Sequence, residues 1–264
     1  MPKRHLKRLN MPRTWEIKRK VSTFITRPHP GAHKLEHGMP LGIVIKELLG
    51  LAKTTKEVKD ILNNKELLVD GKRRKDQKSL VGLMDIITIP QLKKSYRMIL
   101  DNRGKLKTIE IADNEVNLKL CKVMSKTLLR GKKIQLNLGS NRNIIIEKDE
   151  YTVGDTVVIG LPDQKINKVL KLEKGASIYL IGGKHLGSTG SIENIEGNMI
   201  TFRTPEKEVY QTFKKFLFVV GKDKPEIALS KQAKTTKETT EKKSSSKKSE
   251  DKKSEEKKTQ EKKE

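Results

Sequence analysis

Cysteine is nearly missing from this sequence: Cys121 is the only one in 264 residues. A single thiol excludes an intrachain disulfide and a zinc centre built on several thiolates, and it suits a reducing compartment. Aromatic residues make up only 4%, which argues against nucleic-acid binding carried mainly by base stacking. No apolar run approaches the ~20 residues of a membrane span; Phe216-Leu-Phe-Val-Val220 is typical of those present. The chain is charged from Lys3 onward with no apolar segment behind it, so no signal peptide is expected. The expectation is a soluble intracellular protein with no membrane contact.

Positive charge is abundant, with 58 Lys+Arg against 33 Asp+Glu, a formal net of +25. Residues 231–264 hold 13 of the lysines and 8 of the acids, so a net of +20 belongs to the body of the chain. That body also holds nearly all the apolar residues, Ala233 being the only one in the tail. A folded protein sustains such self-repulsion most readily against a polyanion, of which nucleic acid is the commonest. With few rings and many cations, contacts to the phosphates and shape of structured RNA are favoured over stacking.

Residues 1–38 read as a basic N-terminal extension. Pro2, Pro12, Pro28, Pro30 and Pro40 break helices there, leaving an extended path with one short helix near Trp15 to Lys20. Trp15, Phe24 and Ile25 argue against full disorder and for an arm that orders on RNA. Its candidate RNA-binding residues are Lys3, Arg4, His5, Lys7, Arg8, Arg13, Lys18, Arg19, Lys20, His33 and Lys34. His29, His33 and His37 recur every four residues, a helical spacing for metal ligands. Pro30-Gly31 forbids that helix, so phosphate contact or simple exposure is the better reading and no metal is expected.

Residues 39–95 read as a helix pair followed by two strands. Leu41, Val44, Ile45, Leu48 and Leu49 form one apolar stripe after Pro40, and Gly50 ends it. Thr54-Thr-Lys-Glu57 is a capping box, with Val58, Ile61 and Leu62 as the buried face and Asn63-Asn64 as the stop. Leu67-Leu-Val69 then predicts a strand and Asp70-Gly71 a hairpin turn. Leu83-Met-Asp-Ile-Ile-Thr-Ile89 predicts a second strand that Pro90 closes. Lys72, Arg73, Arg74 and Lys75 follow the turn directly, with Lys78 close behind. Cations fixed on a tight turn beside rigid helices favour phosphate contact.

Residues 96–172 read as a β-rich unit, a small barrel or sandwich. Its strands are Ile134–Leu138, Ile144–Ile146, Thr156–Ile159 and Lys168–Leu172, separated by turns such as Gly139-Ser-Asn141. A helix is expected after Asp113, including Val116 and Leu120. Cys121 alternates with Val123 and reads as a small buried hydrophobe. Residues 173–230 form a third unit the size of a five-stranded barrel, with strands at Ala176–Ile181, Gly190–Ile195, Asn198–Phe202 and Phe216–Val220. The loop Gly182-Gly-Lys-His-Leu-Gly187 adds Lys184 and His185 as candidates. It lacks the spacing of a nucleotide-hydrolysing phosphate loop, because Ile178 stands where the first glycine belongs and His185 follows the lysine. The tail, 231–264, repeats paired lysines every five residues, a period of neither helix nor strand, and is expected to be disordered.

These units in this order resemble the archaeal and eukaryotic small-subunit ribosomal protein four ("S four e") family, in its archaeal form. The resemblance runs from His5 to about Leu229. It rests on His5-Leu-Lys-Arg8 with Trp15, on Pro30-Gly-Ala-His-Lys34 with Pro40-Leu41, and on Leu68-Val-Asp-Gly-Lys72 with Asp76 and Gly82-Leu-Met-Asp-Ile-Ile87. Further along it rests on Leu118-Lys-Leu-Cys-Lys122, Ile134-Gln-Leu-Asn-Leu138, Leu161-Pro-Asp-Gln-Lys-Ile166, Gly182-Gly-Lys184 and Phe218-Val-Val-Gly-Lys222. Two departures are the serines at 188 and 191, where family members commonly carry Arg, and Gly139-Ser-Asn-Arg-Asn143, which lacks the usual His or Asp-Gly.

The resemblance implies an α+β multidomain fold. It would comprise a helix-pair S4-like RNA-binding domain, a central β-rich domain and a C-terminal small β-barrel of the KOW (SH3-like) type. It implies a structural constituent of the small ribosomal subunit that binds rRNA beside neighbouring ribosomal proteins in the cytoplasm. No enzymatic activity, cofactor or small-molecule substrate is implied. The alternatives are an RNA-modifying enzyme and a KOW-type assembly factor using the same module. The enzyme lacks any Ser-His-Asp set, paired carboxylates or dinucleotide fingerprint in the sequence.

Overall fold

Alternating apolar residues bounded by turns dominate the sequence from position 67 to about 221, and strands dominate the fold there accordingly. The computed structural model describes residues 5–229; Lys3, Arg4 and the tail 231–264 lie outside the described residues. Met1–Ile227 forms one compact unit and Ala228–Glu264 a second, of which only residues 228–229 are described.

Three five-stranded antiparallel sheets carry the first unit. One runs Lys72–Arg73, Leu68–Val69, Ile86–Ile89, Lys94–Leu100, Leu106–Ile111 in spatial order. A second runs Arg142–Ile146, Ile134–Leu138, Leu118–Leu128, Thr156–Gly160, Ile166–Leu170. The third runs Val209–Phe213, Met199–Arg203, Thr189–Glu196, Ser177–Leu180, Leu217–Gly221. Short pairs Leu6–Lys7 with Phe24–Ile25 and Gly38–Pro40 with Leu80–Gly82 hold the N-terminal segment. The expected boundary between residues 95 and 96 falls inside the strand Lys94–Leu100, so the first sheet spans both expected units. Val209–Phe213 was not anticipated from the sequence, although its valine, tyrosine and phenylalanine are strand formers.

The helical region is smaller than its pattern predicts. Thr55–Asn64 is a ten-residue α-helix with the expected Thr54 as its N-cap and Glu57 reaching back to the residue before it. The Thr54 hydroxyl accepts the Glu57 N–H at 3.2 Å, and the Glu57 carboxylate accepts the Lys53 N–H at 2.8 Å. The first helix is a single turn, Leu41–Ile43, running into a π-helix at Val44–Leu48. The Leu49 N–H reaches back five residues to the Val44 carbonyl at 2.9 Å. This wider turn rotates the buried face, so Ile43 is buried while Leu48 and Leu49 are only half-buried.

Three other expectations are corrected by side chains that bind backbone. The strand expected from Leu83 to Ile89 breaks at Met84, whose φ is 64°, because the Asp85 carboxylate turns inward to accept the Gly82 N–H at 2.8 Å. The helix expected after Asp113 is one turn, Asp113–Glu115, and Leu120 lies in the strand Leu118–Leu128. Arg97 accounts for the stop: its guanidinium binds the Glu115 carboxylate at 2.6 Å and the carbonyls of Glu115 and Leu118 at 3.2 Å each. No helix forms at Trp15 to Lys20. Trp15 instead bridges Leu106 and is 1% exposed, its indole N–H donating to the Gly38 carbonyl at 2.9 Å. The N-terminal segment is thus anchored to the protein's own interior through Trp15.

The middle sheet closes over Cys121, Val123, Leu136, Leu138, Val157 and Ile159, so Cys121 is the buried hydrophobe its alternation predicts. Burial pushes its thiol up to about 11, which leaves it unreactive at neutral pH. Tyr179 clasps the third sheet to the first: its hydroxyl donates to the Leu100 carbonyl at 2.6 Å and accepts the Leu100 N–H at 2.8 Å. Beside it, a Cβ at Gly187 would collide with the Asp101 carbonyl, so only glycine allows that approach. Tyr179→Phe strands both backbone groups in the interior. We expect a loss of about 1–3 kcal/mol in urea unfolding with the m-value unchanged; a loss below ~0.5 kcal/mol would show the clasp to be dispensable.

Candidate nucleic-acid interface

The turn between Leu68–Val69 and Lys72–Arg73 is built as its sequence dictates. Asp70 and Gly71 have φ of 52° and 75°, the left-handed pair that a two-residue hairpin turn needs. The strands that flank it are two residues each, too short to hold a turn rigid by themselves. Its rigidity comes from beneath. The Asp70 carboxylate points inward, accepting the Ile86 N–H at 3.0 Å, the Arg142 guanidinium at 2.8 Å and the Lys119 ammonium. Lys119 also binds Asp85 at 2.5 Å, and the His33 ring lies 3.0 Å from both Asp85 oxygens.

This cluster draws on the N-terminal segment, the turn region and the middle sheet at once. The Lys119 side chain is wholly buried. Burial presses its pKa down, but Asp85 and Asp70 outweigh burial and hold it above the ordinary lysine value. Burial likewise presses Asp85 upward, and Lys119 with His33 outweighs it, so this carboxyl titrates well below the usual range. Asp85 and Lys119 are therefore both charged at neutral pH.

Above the cluster, Lys72, Arg73, Arg74, Lys75 and Lys78 are all exposed. Arg73 is partly engaged, donating to the Asn63 carbonyl at the helix C-terminus at 3.1 Å. Among the described residues the side chains of Lys72, Arg74, Lys75 and Lys78 form no ion pair. In the N-terminal segment His5, Lys7, Arg13, Lys18, Lys20 and Lys34 are exposed, as is Lys184.

Four candidates are instead spent on the fold. Arg8 is 7% exposed, and its guanidinium binds the Lys18 carbonyl at 2.6 Å, Ser22 at 3.3 Å and Glu47 at 3.6 Å. Arg19 gathers the carbonyls of Leu9, Met11 and Pro12 at 3.1–3.3 Å. His33 is committed to Asp85. His185 stacks on Tyr210 with ring centroids 3.9 Å apart. Sequence reasoning missed Asp70, Asp85, Lys119 and Arg142 as members of one cluster. One signal was there: Lys119 has the strand parity of Cys121 and Val123, which places it on their buried face. The three spaced histidines do not converge, His29 lying on Asp76 at 3.1 Å and His33 on Asp85. Among the described residues no three of His, Cys, Asp and Glu gather to hold a metal ion.

Exposed cations fixed over an internally neutralised base give a preformed surface of the class suited to a polyanion. Comparison with known proteins then gives its family. Residues 92–166 match the model of Ribosomal family S4e, and residues 1–36 match the RS4NT (NUC023) domain. Small ribosomal subunit protein eS4 of Methanocaldococcus jannaschii is 39% identical, over 86% of this chain and 98% of its own length. That of Methanosphaera stadtmanae is 40% identical, over 86% of this chain and 96% of its own length. The crystal structure of 30S ribosomal protein S4e from Thermoplasma acidophilum aligns with a TM-score of 0.61 at 31% identity, covering 70% of this chain and 95% of that one. The chain belongs to the eS4 family of small ribosomal subunit proteins. That is a family of structural ribosomal proteins, not of enzymes.

Removing one member of a buried ion cluster leaves its partners uncompensated. Lys119→Met is expected to cost about 3–5 kcal/mol in denaturant unfolding, and restoring balance with Asp85→Asn alongside it is expected to recover part of that loss. A purely steric role for Lys119 would show no recovery.

Lys122, on the opposite face of the same strand, behaves differently. Its ammonium is held by the carbonyls of Lys214, Lys215 and Leu217 at 2.6–3.1 Å, it forms no ion pair among the described residues, and burial lowers it to about 8. With an unfolded value of 10.5, the unfolded chain binds the extra proton between those limits. Stability from this group therefore rises with pH across about 8 to 10.5, by something of order 3 kcal/mol at the upper limit. Denaturation midpoints measured from pH 7 to 10 should show this rise relative to Lys122→Met; parallel profiles would remove Lys122 as its source.

Proposed function

We propose that the protein is a structural constituent of the small ribosomal subunit that binds rRNA through fixed cations, and supports subunit assembly and translation in the cytoplasm. The observation that carries this is the Asp70-Gly71 turn, tied from beneath by Lys119 and Arg142 while Lys72, Arg74, Lys75 and Lys78 stand clear above it. Cations on a rigid base meet packed phosphates without paying further ordering entropy. In this reading the helix pair and turn in 39–95 act as an S4-like RNA-binding unit. The β-rich region 96–172 is the central support, and the sheet within 173–230 is a KOW-type barrel.

The exposed set His5, Lys7, Arg13, Lys18, Lys20, Lys34 and Lys184 extends the phosphate-contacting surface, together with Lys3 and Arg4. Arg8, Arg19, His33 and His185 serve it indirectly, by holding the backbone that carries the others. Neighbouring ribosomal proteins are the remaining expected partners.

The mechanism is counterion release. With about 8 phosphates neutralised, log K for small-subunit rRNA should fall with log salt at a slope of about −6 to −7. Replacing Arg74 and Lys75 together by Ala should weaken binding while lowering the slope by about 1–2, with the thermal midpoint unchanged. A salt-independent affinity would remove the mechanism. An unchanged slope in the double variant would remove the turn from the interface.

A further inference from the structure

A cleft of about 390 Å³ opens between the segment His29–Ala32, the Asp70-Gly71 turn and the turn at residues 140–143. Its volume lies within the range of small-molecule and cofactor sites. The cationic side of its mouth is formed by Lys72 and Arg74, and Val69, Leu80 and Pro30 supply apolar wall. Its floor carboxylates, Asp70 and Asp85, are already matched by Lys119 and Arg142, so they do not repel an anion as free acids would.

The far wall carries the information. Asn141, Asn143 and Gln164 all line the cleft, and none of their side-chain amides has a hydrogen-bond partner among the described residues. Two of the three sit in the left-handed region without being glycine, Asn141 at φ 49° and Gln164 at φ 61°, as does Ser140, which also lines the cleft, at 62°. Such conformations cost about 1–3 kcal/mol each and cluster at ligand clamps. Three amides held there offer donors and acceptors together, the pattern that reads a base edge, whereas phosphate needs only donors.

We propose that this cleft takes one unpaired nucleotide splayed out of folded RNA, with its phosphate at Lys72 and Arg74 and its base edge against Asn141, Asn143 and Gln164. The inference rests on the rRNA-binding reading above and adds a sequence-reading site to what is otherwise charge and shape recognition. Unstacked bases in loops and bulges are the usual targets of sequence-specific RNA recognition.

The test is a triple variant that spares the fold. Asn141→Gly and Gln164→Gly suit the positive φ at those positions, and Asn143→Ala sits on an exposed strand position. The full chain and the variant are titrated with transcribed small-subunit rRNA over a salt series, with thermal unfolding as the control. We expect the variant to lose about tenfold or more in affinity at an unchanged salt slope, whereas the Arg74 and Lys75 pair changes the slope. Ultraviolet crosslinking of the wild-type complex should leave a nucleotide adduct on a peptide lining the cleft, within 29–32 or 139–143. Wild-type affinity in the variant, together with no adduct on those peptides, would overturn the inference while leaving rRNA binding intact. Failure of the wild type to bind rRNA would overturn both. The same titration with AMP, CMP, GMP and UMP separates the sources: saturable binding of a free mononucleotide that rRNA does not displace would overturn the assignment to RNA.

Discussion

The ion cluster around Lys119 is the constraint on which the rest of the molecule depends. One ammonium, fully buried, sits between carboxylates from two different turns, and a guanidinium and an imidazole complete the ring. The Lys119 strand belongs to the middle sheet, Asp70 and Asp85 to the first sheet's turns, and His33 to the N-terminal segment. No hydrophobic contact could specify that junction so sharply, because apolar surfaces slide and repack at modest cost. A buried charge with its partners in fixed places does not. Such clusters are weak evidence for net stability, since desolvation offsets much of the attraction. Their contribution here is register: the Asp70-Gly71 turn can occupy only the position in which its carboxylate meets Lys119 and Arg142.

Local chemistry was legible from the sequence wherever it is decided within a few residues. The N-cap at Thr54, the two-residue turn at Asp70-Gly71 and the burial of Cys121 follow from spacing alone, and the structure has each of them. What failed were elements whose ends are set by a distant side chain. Arg97 stops the helix expected after Asp113 by taking its carbonyls, and Asp85 breaks the strand expected from Leu83 by taking a backbone N–H. In both, a long-range hydrogen bond to the backbone outcompetes a local propensity that is worth a fraction of a kcal/mol per residue.

The same distinction governs the candidate interface. Exposure of Lys72, Arg74, Lys75 and Lys78 follows from their place after a tight turn. The inward commitment of Arg8, Arg19 and His33 does not follow from composition, because a basic segment reads alike whether its guanidinium groups face RNA or the chain's own carbonyls. Proline-rich backbone supplies the reason for the second outcome. Segments that cannot form helix leave carbonyls without N–H partners, and a nearby guanidinium with five donors satisfies several of them at once. Arg19, reaching three carbonyls within the proline-bearing stretch around Pro12, is that solution.

A protein of net +25 must keep its cations apart or neutralise them internally. The strand Leu118–Leu128 does this in two ways on its two faces. On one, Lys119 is matched by carboxylates and becomes a fixed ion whose proton is held more tightly than in water. On the other, Lys122 meets only carbonyl dipoles, and burial outweighs them, so its proton is held less tightly. The first face joins the N-terminal segment and the turn region to the middle sheet, and the second joins the third sheet to it through the residues around Lys214–Phe216. One strand therefore ties the three five-stranded sheets to a common base, using two lysines three residues apart. Phosphates in folded RNA have fixed spacings, so cations that meet them must have fixed spacings too. Charges removed from the surface to hold that base give the exposed ones a frame that does not yield to their mutual repulsion.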